Sequence, residues 1–225
     1  MALADNIVAY WKMTGNSNDS VGSNNGTDTS ITYGASTGII DQGAIFASSN
    51  PSYISIADTS FPAGSSNRTF NMWYKPSAQG NQMLFYYGTP ALNQSQGIYY
   101  NGSILEYNNF GADLDISQTL SNGTWYMLTA TYNGTTAELF VNSSSIGSGA
   151  RSFNTTSSLG LAKFGRDNLA NYPLDGTLDE VGIWSRVLSG AQLTQLYNAG
   201  AGLQYPFTTS SAVTPHNLPL MGVGS

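Results

Sequence analysis

Along most of this chain, apolar and polar residues alternate over short runs, and clusters of Gly, Asn, Ser and Thr separate the runs. A period of two over a handful of residues marks half-buried strands, and the clusters between them are turn formers. The pattern predicts strands over residues 7–13, 43–46, 53–56, 68–75, 82–87, 97–100 and 103–107. In the run 68–75, Phe70 and Met72 share one face and Asn71 and Trp73 the other. Pro76 ends that run because proline cannot donate to a ladder. Residues 124–142 read as a hairpin about Asn133-Gly134, a pair suited to two-residue turns whose central positions need positive φ. With that turn fixed, Tyr132 faces Thr135, Ala130 faces Ala137, Leu128 faces Leu139 and Tyr126 faces Val141, all on the core face. A slip of one residue would reverse the assignment. Residues 159–165 lead into a last strand.

That strand belongs to the best-defined stretch, residues 174–200. Val181 and Ile183 fall on one face of it and Leu178 and Trp184 on the other, as expected of a strand covered on both sides. Ser189 then stands three before Gln192 as a capping box, Leu188 and Leu193 suit a hydrophobic staple, and Gly200 suits a C-cap. Leu193, Leu196 and Tyr197 form one stripe, so the helix is expected to pack against the end of a sandwich. Residues 14–30 have no period and read as loop. After Tyr205 the chain carries three of its eight prolines and again no period. The organisation expected is a domain over residues 1–204 and an extended tail over residues 205–225, serving as an anchor or subunit bridge.

The class is all-β, a two-layer sandwich, and composition agrees. Of 225 residues, 40% are hydrophobic and only 9% charged, so a sizeable core is covered by Ser, Thr, Asn and Gly rather than by ion pairs. The net charge of −6 argues against nucleic acid and against a polybasic membrane patch as partners. Cysteine is absent, which removes disulfide and thiolate chemistry. No apolar run approaches the roughly 20 residues of a membrane span. The first residues lack the charged and apolar regions of a secretion signal, so the chain reads either as one that needs none or as one whose leader has been removed. The one histidine, His216, lies in the tail, so no His-based triad can sit on the domain. Asp113 and Asp115 form an i, i+2 pair in a turn-like stretch and read as solvated rather than catalytic.

Three segments resemble the laminin-G-like, concanavalin A-like lectin/glucanase jelly-roll superfamily, in its bacterial and phage branch. They are VAYWKMTGNSNDSVGSNNGT, GTWYMLTATYNGTTAELFVNSSSIGSG and FGRDNLANYPLDGTLDEVGIWSRVLSGAQLTQLYNAG, in the family's order. The resemblance spans residues 7–202 and implies two antiparallel sheets packed face to face, with the first and last strands meeting near one edge, and one short C-terminal helix. It also implies a structural Ca2+ held by Asp19 and Asp179 with backbone carbonyls around Asn25. The alternative is that Asp19 makes a side-chain turn and Asp179 accepts backbone donors. A glycan site is expected in the Tyr- and Asn-rich middle, with Tyr87, Tyr99, Tyr107 and Asn109 as candidates, unless these tyrosines are core. The E-x-D-x-E strand of the family's hydrolases is missing, so no enzymatic activity is expected. The function expected is a virion-surface protein, a capsid decoration or fibre-associated lectin-like module. It would bind cell-surface glycan and contact virion or same-chain subunits through its tail. A secreted carbohydrate-binding module of a larger bacterial protein is the alternative, and a glycan hydrolase the second.

Overall fold

The computed structural model describes residues 1–156 and 162–208. Among these the chain forms two antiparallel sheets packed as a sandwich. The eight-stranded sheet runs β13 (Ser144–Ala150), β12 (Thr136–Val141), β11 (Tyr126–Tyr132), β6 (Arg68–Pro76), β15 (Gly176–Trp184), β4 (Gly43–Phe46) and β3 (Thr32–Gly34). β1 (Ile7–Trp11) pairs with the far half of β15, next to β4 on the same side. The seven-stranded sheet runs β10 (Leu114–Ser117), β9 (Ile104–Asn108), β8 (Ser95–Tyr100), β7 (Gln82–Gly88), β14 (Ala162–Phe164), β5 (Tyr53–Ile56) and β2 (Thr27–Thr29). The first and last strands therefore do meet, as the resemblance implied.

Between the sheets lies an aromatic core. Phe70 packs on Phe85 with ring centroids 5.3 Å apart, and Tyr107 meets Phe153 edge-on at 5.2 Å. Each such ring removed from water contributes about 1.5–3 kcal/mol. Arg68 is fully buried in this core. It donates to the carbonyls of Pro62, Gly64 and Ser66, to Tyr87 Oη, to Gln96 Oε1 and to Thr155 Oγ1.

A second apolar cluster lies on the outer face of the eight-stranded sheet. It joins Trp73, Met127, Tyr10 and Trp184 to Leu188, Leu193 and Leu196. The helix α1 (Gly190–Tyr197) therefore covers a sheet face rather than the end of the sandwich. Its capping box, with Ser189 and Gln192, is formed, but the left-handed C-cap is Asn198, two residues before the expected Gly200.

Two register expectations change. The β11–β12 hairpin pairs Tyr132 with Ala137, Ala130 with Leu139 and Leu128 with Val141. The turn is closed by Asn133, whose Oδ1 accepts from Thr135 N at 3.1 Å and Thr136 N at 2.8 Å. The ladder is displaced by two residues, an even number, so every side chain keeps the face expected of it. In β15, Glu180 has φ 49° and the pairing with β6 skips between Asp179 and Gly182. That bulge adds one residue, so Leu178 joins Val181 and Ile183 in the inter-sheet core while Trp184 faces the helix.

The domain also continues past residue 204. Phe207 is buried against Tyr10, Trp184 and Tyr205. Residues 209–225 of the expected tail lie outside the described residues, and so do residues 159–161 of the run before β15.

Candidate functional site

Strand alternation builds the site. Phe85, Ile98, Tyr107 and Leu114 stand opposite one another on β7, β8, β9 and β10 and point into the core. The neighbouring row, Met83, Tyr99, Glu106 and Asp115, must then point outward, and so must Tyr86, Gly97 and Asn108. Gly97 keeps this floor flat: a Cβ there would lie 2.4 Å from the Phe85 carbonyl oxygen.

Two loops wall the floor. In the loop between β14 and β15, Asp167 Oδ1 accepts from Leu169 N at 3.0 Å and Asn171 N at 2.6 Å, which folds the segment into a tight arch. Met83 N donates to Tyr172 O at 2.8 Å and pins the arch to β7. Tyr172 is thereby set edge-on to Tyr99, with centroids 5.3 Å apart. On the other side, Asp113 Oδ1 accepts from Asn109 N at 2.7 Å and from Asn108 Nδ2 at 3.3 Å. Asn108 Nδ2 also donates to Glu106 Oε1. Phe110 stands exposed at the tip of this loop.

The result is a trough. One depression of about 260 Å³ is lined by Met83, Tyr86, Phe110, Asp113, Leu169 and Tyr172 among others. A second of about 220 Å³ is lined by Tyr99, Glu106, Asn108, Asp113 and Tyr172. Three of the six large apolar side chains exposed among the described residues, Phe110, Leu169 and Tyr172, line this region. Exposed apolar surface beside convergent polar groups is the usual composition of a binding site. Burial pushes the Glu106 carboxyl up to about 7, with the charges of Asp113 and Asp115 adding and the Asn108 hydrogen bond opposing. Burial raises Asp113 as well. The trough thus offers two adjacent carboxyls, an amide and three aromatic surfaces, a set suited to hydroxyl-rich ligands.

Of the expected glycan residues, only Tyr99 lies here. Tyr87, Tyr107 and Asn109 are fully buried and cannot present a surface to a ligand. Tyr87 and Tyr107 complete the Arg68 network, Tyr107 donating to Gln96 Oε1 at 2.7 Å. Asn109 Nδ2 braces the Ser95 carbonyl at 2.6 Å. Glu106 and Asn108 were open to recognition, since they alternate with Leu105 and Tyr107 in one run. Phe110, Leu169 and Tyr172 had no comparable signal, because they sit on aperiodic loops that reach the floor only after folding.

The expected metal residues do not share a cage. Asp19 Oδ1 accepts from Tyr10 N at 3.0 Å and Val21 N at 2.9 Å, and Oδ2 from Asn24 N and Asn24 Nδ2, both at 3.0 Å. Burial alone would raise this carboxyl, but the four donors outweigh it and hold it below its ordinary value. Asn25 Oδ1 accepts from Asp19 N at 2.9 Å. Asp179 serves another loop: its Oδ2 accepts from Ile39 N at 2.8 Å and Ile40 N at 3.0 Å, and its Oδ1 from Glu180 N. Each carboxylate is surrounded by N–H donors rather than by oxygens, Asp19 by those of β1 and its own loop and Asp179 by those of the Ile39–Ile40 segment, the arrangement of a structural brace. Among the described residues no group of three or more His, Asp or Glu converges as a metal set.

Similarity to known proteins agrees with the fold. Domain 4 of AbnA, a GH43 extracellular arabinanase from Geobacillus stearothermophilus solved with arabinotriose, superposes with a TM-score of 0.67 at 18% identity, over 84% of this chain and 96% of that one. The binding domain of Paraclostridial Mosquitocidal Protein 1 superposes with a TM-score of 0.69 at 20% identity, over 88% of this chain, which spans 53% of that structure. A botulinum neurotoxin type C structure, from work on cell entry through two ganglioside molecules, superposes with a TM-score of 0.63 at 12% identity, over 87% of this chain and 51% of its own. No curated protein matches the chain in sequence. Among the described residues no helix is long and apolar enough to cross a membrane. The family model described as the concanavalin A-like lectin/glucanases superfamily matches residues 48–194, and the chain belongs to that family.

Proposed function

We propose that the chain is a non-catalytic glycan-binding domain whose site is the trough between Tyr99, Tyr172 and Phe110. The observation that carries this is the meeting of half-buried Tyr99 and exposed Tyr172 with Glu106, Asn108 and Asp113 on one open sheet face. Sugar rings lay apolar faces on aromatic side chains and give their hydroxyls to amides and carboxylates. Glu106 and Asp113 are bridged by the Asn108 amide, which donates to both, whereas the carboxyls of a glycosidase flank their substrate about 5 Å or more apart. This favours holding a sugar over cleaving one. The neighbours bound to arabinotriose and studied with gangliosides support the reading by analogy of fold.

Two settings suit such a module. The virion surface is the one expected from the sequence, and a peptide inventory of purified virions lacking this chain would remove it. A secreted carbohydrate-binding module is favoured by the arabinanase neighbour, itself one domain of an extracellular enzyme. The binding site is tested directly by a glycan array followed by calorimetry on Tyr172→Ala and Phe110→Ala. Each variant is expected to lose affinity about tenfold or more, equivalent to ~1.4 kcal/mol, with unchanged thermal stability. An array without a ligand, or affinity indifferent to both substitutions, would refute the reading.

A further inference from the structure

The trough does not end at Phe110. Gly111 lines both the 260 Å³ depression and a larger groove of about 550 Å³ at the rim of the sandwich. Four loops bound that groove, through Leu92 and Asn93, Gly111 and Ala112, Gly134 and Thr135, and Ala150 to Ser152. Leu92, 64% exposed, lines this groove as an apolar platform, and Phe110, 48% exposed, lines the depression beside Gly111.

The polar groups of the groove are also under-used. Asn93 Oδ1 is buried and has no hydrogen-bond partner, although Asn93 N is tied to the Phe110 carbonyl. Arg151 is held by carbonyls alone: its Nε and Nη2 donate to Asp113 O at 3.0 and 2.7 Å and its Nη1 to Ala150 O at 2.8 Å. Each Nη carries two hydrogens, so the guanidinium keeps donors in reserve. The rim groove thus repeats the chemistry of the sheet face: an apolar platform, an acceptor and donors, in a neighbouring space that shares Gly111 with it.

Resting on the glycan-binding reading, we infer that the ligand is a linear oligosaccharide chain that runs from the Tyr99–Tyr172 face over Phe110 into the Leu92–Asn93–Arg151 groove. A single terminal sugar would fill only the first part. The chain class follows from the adjacency of the two spaces, which share Gly111 in their linings. Successive sugar units each present one apolar face and several hydroxyls, which is what both spaces are built to meet.

Calorimetry with linear arabino- and galacto-oligosaccharide ladders, dimer to octamer, tests this on the full chain. Affinity is expected to rise about tenfold or more between the shortest bound member and the octamer. Leu92→Ala and Arg151→Gln are expected to abolish that gain and leave the affinity of the shortest member intact. Tyr172→Ala should weaken every member alike. Equal affinity for short and long members, or a length gain untouched by Leu92→Ala and Arg151→Gln, overturns the inference and leaves the glycan-binding reading standing. Binding of neither ladder overturns the inference for linear chains; if a glycan array is empty as well, the underlying reading falls with it. Since Arg151→Gln could disturb the loop at Asp113, the exposed Leu92→Ala decides by itself if the two disagree.

Discussion

Replacing Glu180 by glutamine is expected to make this protein more stable at alkaline pH. Glu180 is 1% exposed, and its neighbours are the Tyr10 hydroxyl on one oxygen and Gln204 Nε2 at 2.6 Å on the other. Burial pushes its carboxyl from 4.5 up to about 7. Across that window the folded protein keeps a proton that the unfolded chain has already released. Stability therefore falls as pH rises, by about 1.4 kcal/mol per pH unit for each such group. By about pH 8 the cost from Glu180 amounts to ~3 kcal/mol. Asp179, pushed by burial and by the Glu180 charge up to about 8, acts in the same direction.

Glutamine fits the same network. Its oxygen can accept from Gln204, and its amide can donate to Tyr10 Oη, whose hydrogen is free to reach the Leu203 carbonyl at 3.3 Å. Urea unfolding followed by the fluorescence of buried Trp73 and Trp184 is the assay. Glu180→Gln should lie within about 1 kcal/mol of the native protein near pH 4.5 and exceed it by about 3 kcal/mol near pH 8. A variant with the native pH slope, or one less stable at pH 8, would show that the fold holds Glu180 as a stabilised anion and would refute the reasoning.

Three further outcomes are expected. Arg68→Met should destabilise by about 3–5 kcal/mol in chemical unfolding, because it removes the donor to the buried acceptors Tyr87 Oη and Thr155 Oγ1. Phe207→Ala should lower the melting temperature, with a loss of about 3 kcal/mol, since the ring is 8% exposed between Tyr10 and Trp184. Sugar affinity should strengthen from pH 6 to 8 as Glu106, pushed by burial up to about 7, ionises and accepts hydroxyl donors. Glu106→Gln should flatten that profile in calorimetry, and an unchanged profile would move the ligand away from Glu106.

The all-β class, the central strands and the capped helix were legible in the sequence alone, and the meeting of β1 with β15 followed from the family resemblance. The first three rest on local signals: apolar alternation in a strand with a covered face, or Ser189 spaced three from Gln192. The four strands without such a signal are β2, β3, β10 and β13, and they are the end strands of the two main sheet orders, with β1 set apart on β15. An edge strand has one ladder partner and needs little apolar surface, so its polar sequence resembles a loop until a neighbour pairs with it.

The tertiary structure decided the rest. The left-handed bulge at Glu180 moved Leu178 into the core, because one inserted residue inverts a period of two. Burial of Arg68 drew Tyr87 inward, and both it and Tyr107 became partners of a buried polar network, though their residue type suits a sugar platform equally well. Tyr99 and Tyr172 are far apart in sequence and became one surface only when the Asp167 arch folded back on β7. Strand parity is written residue by residue. Which face stays open to a ligand depends on what the rest of the chain lays over it.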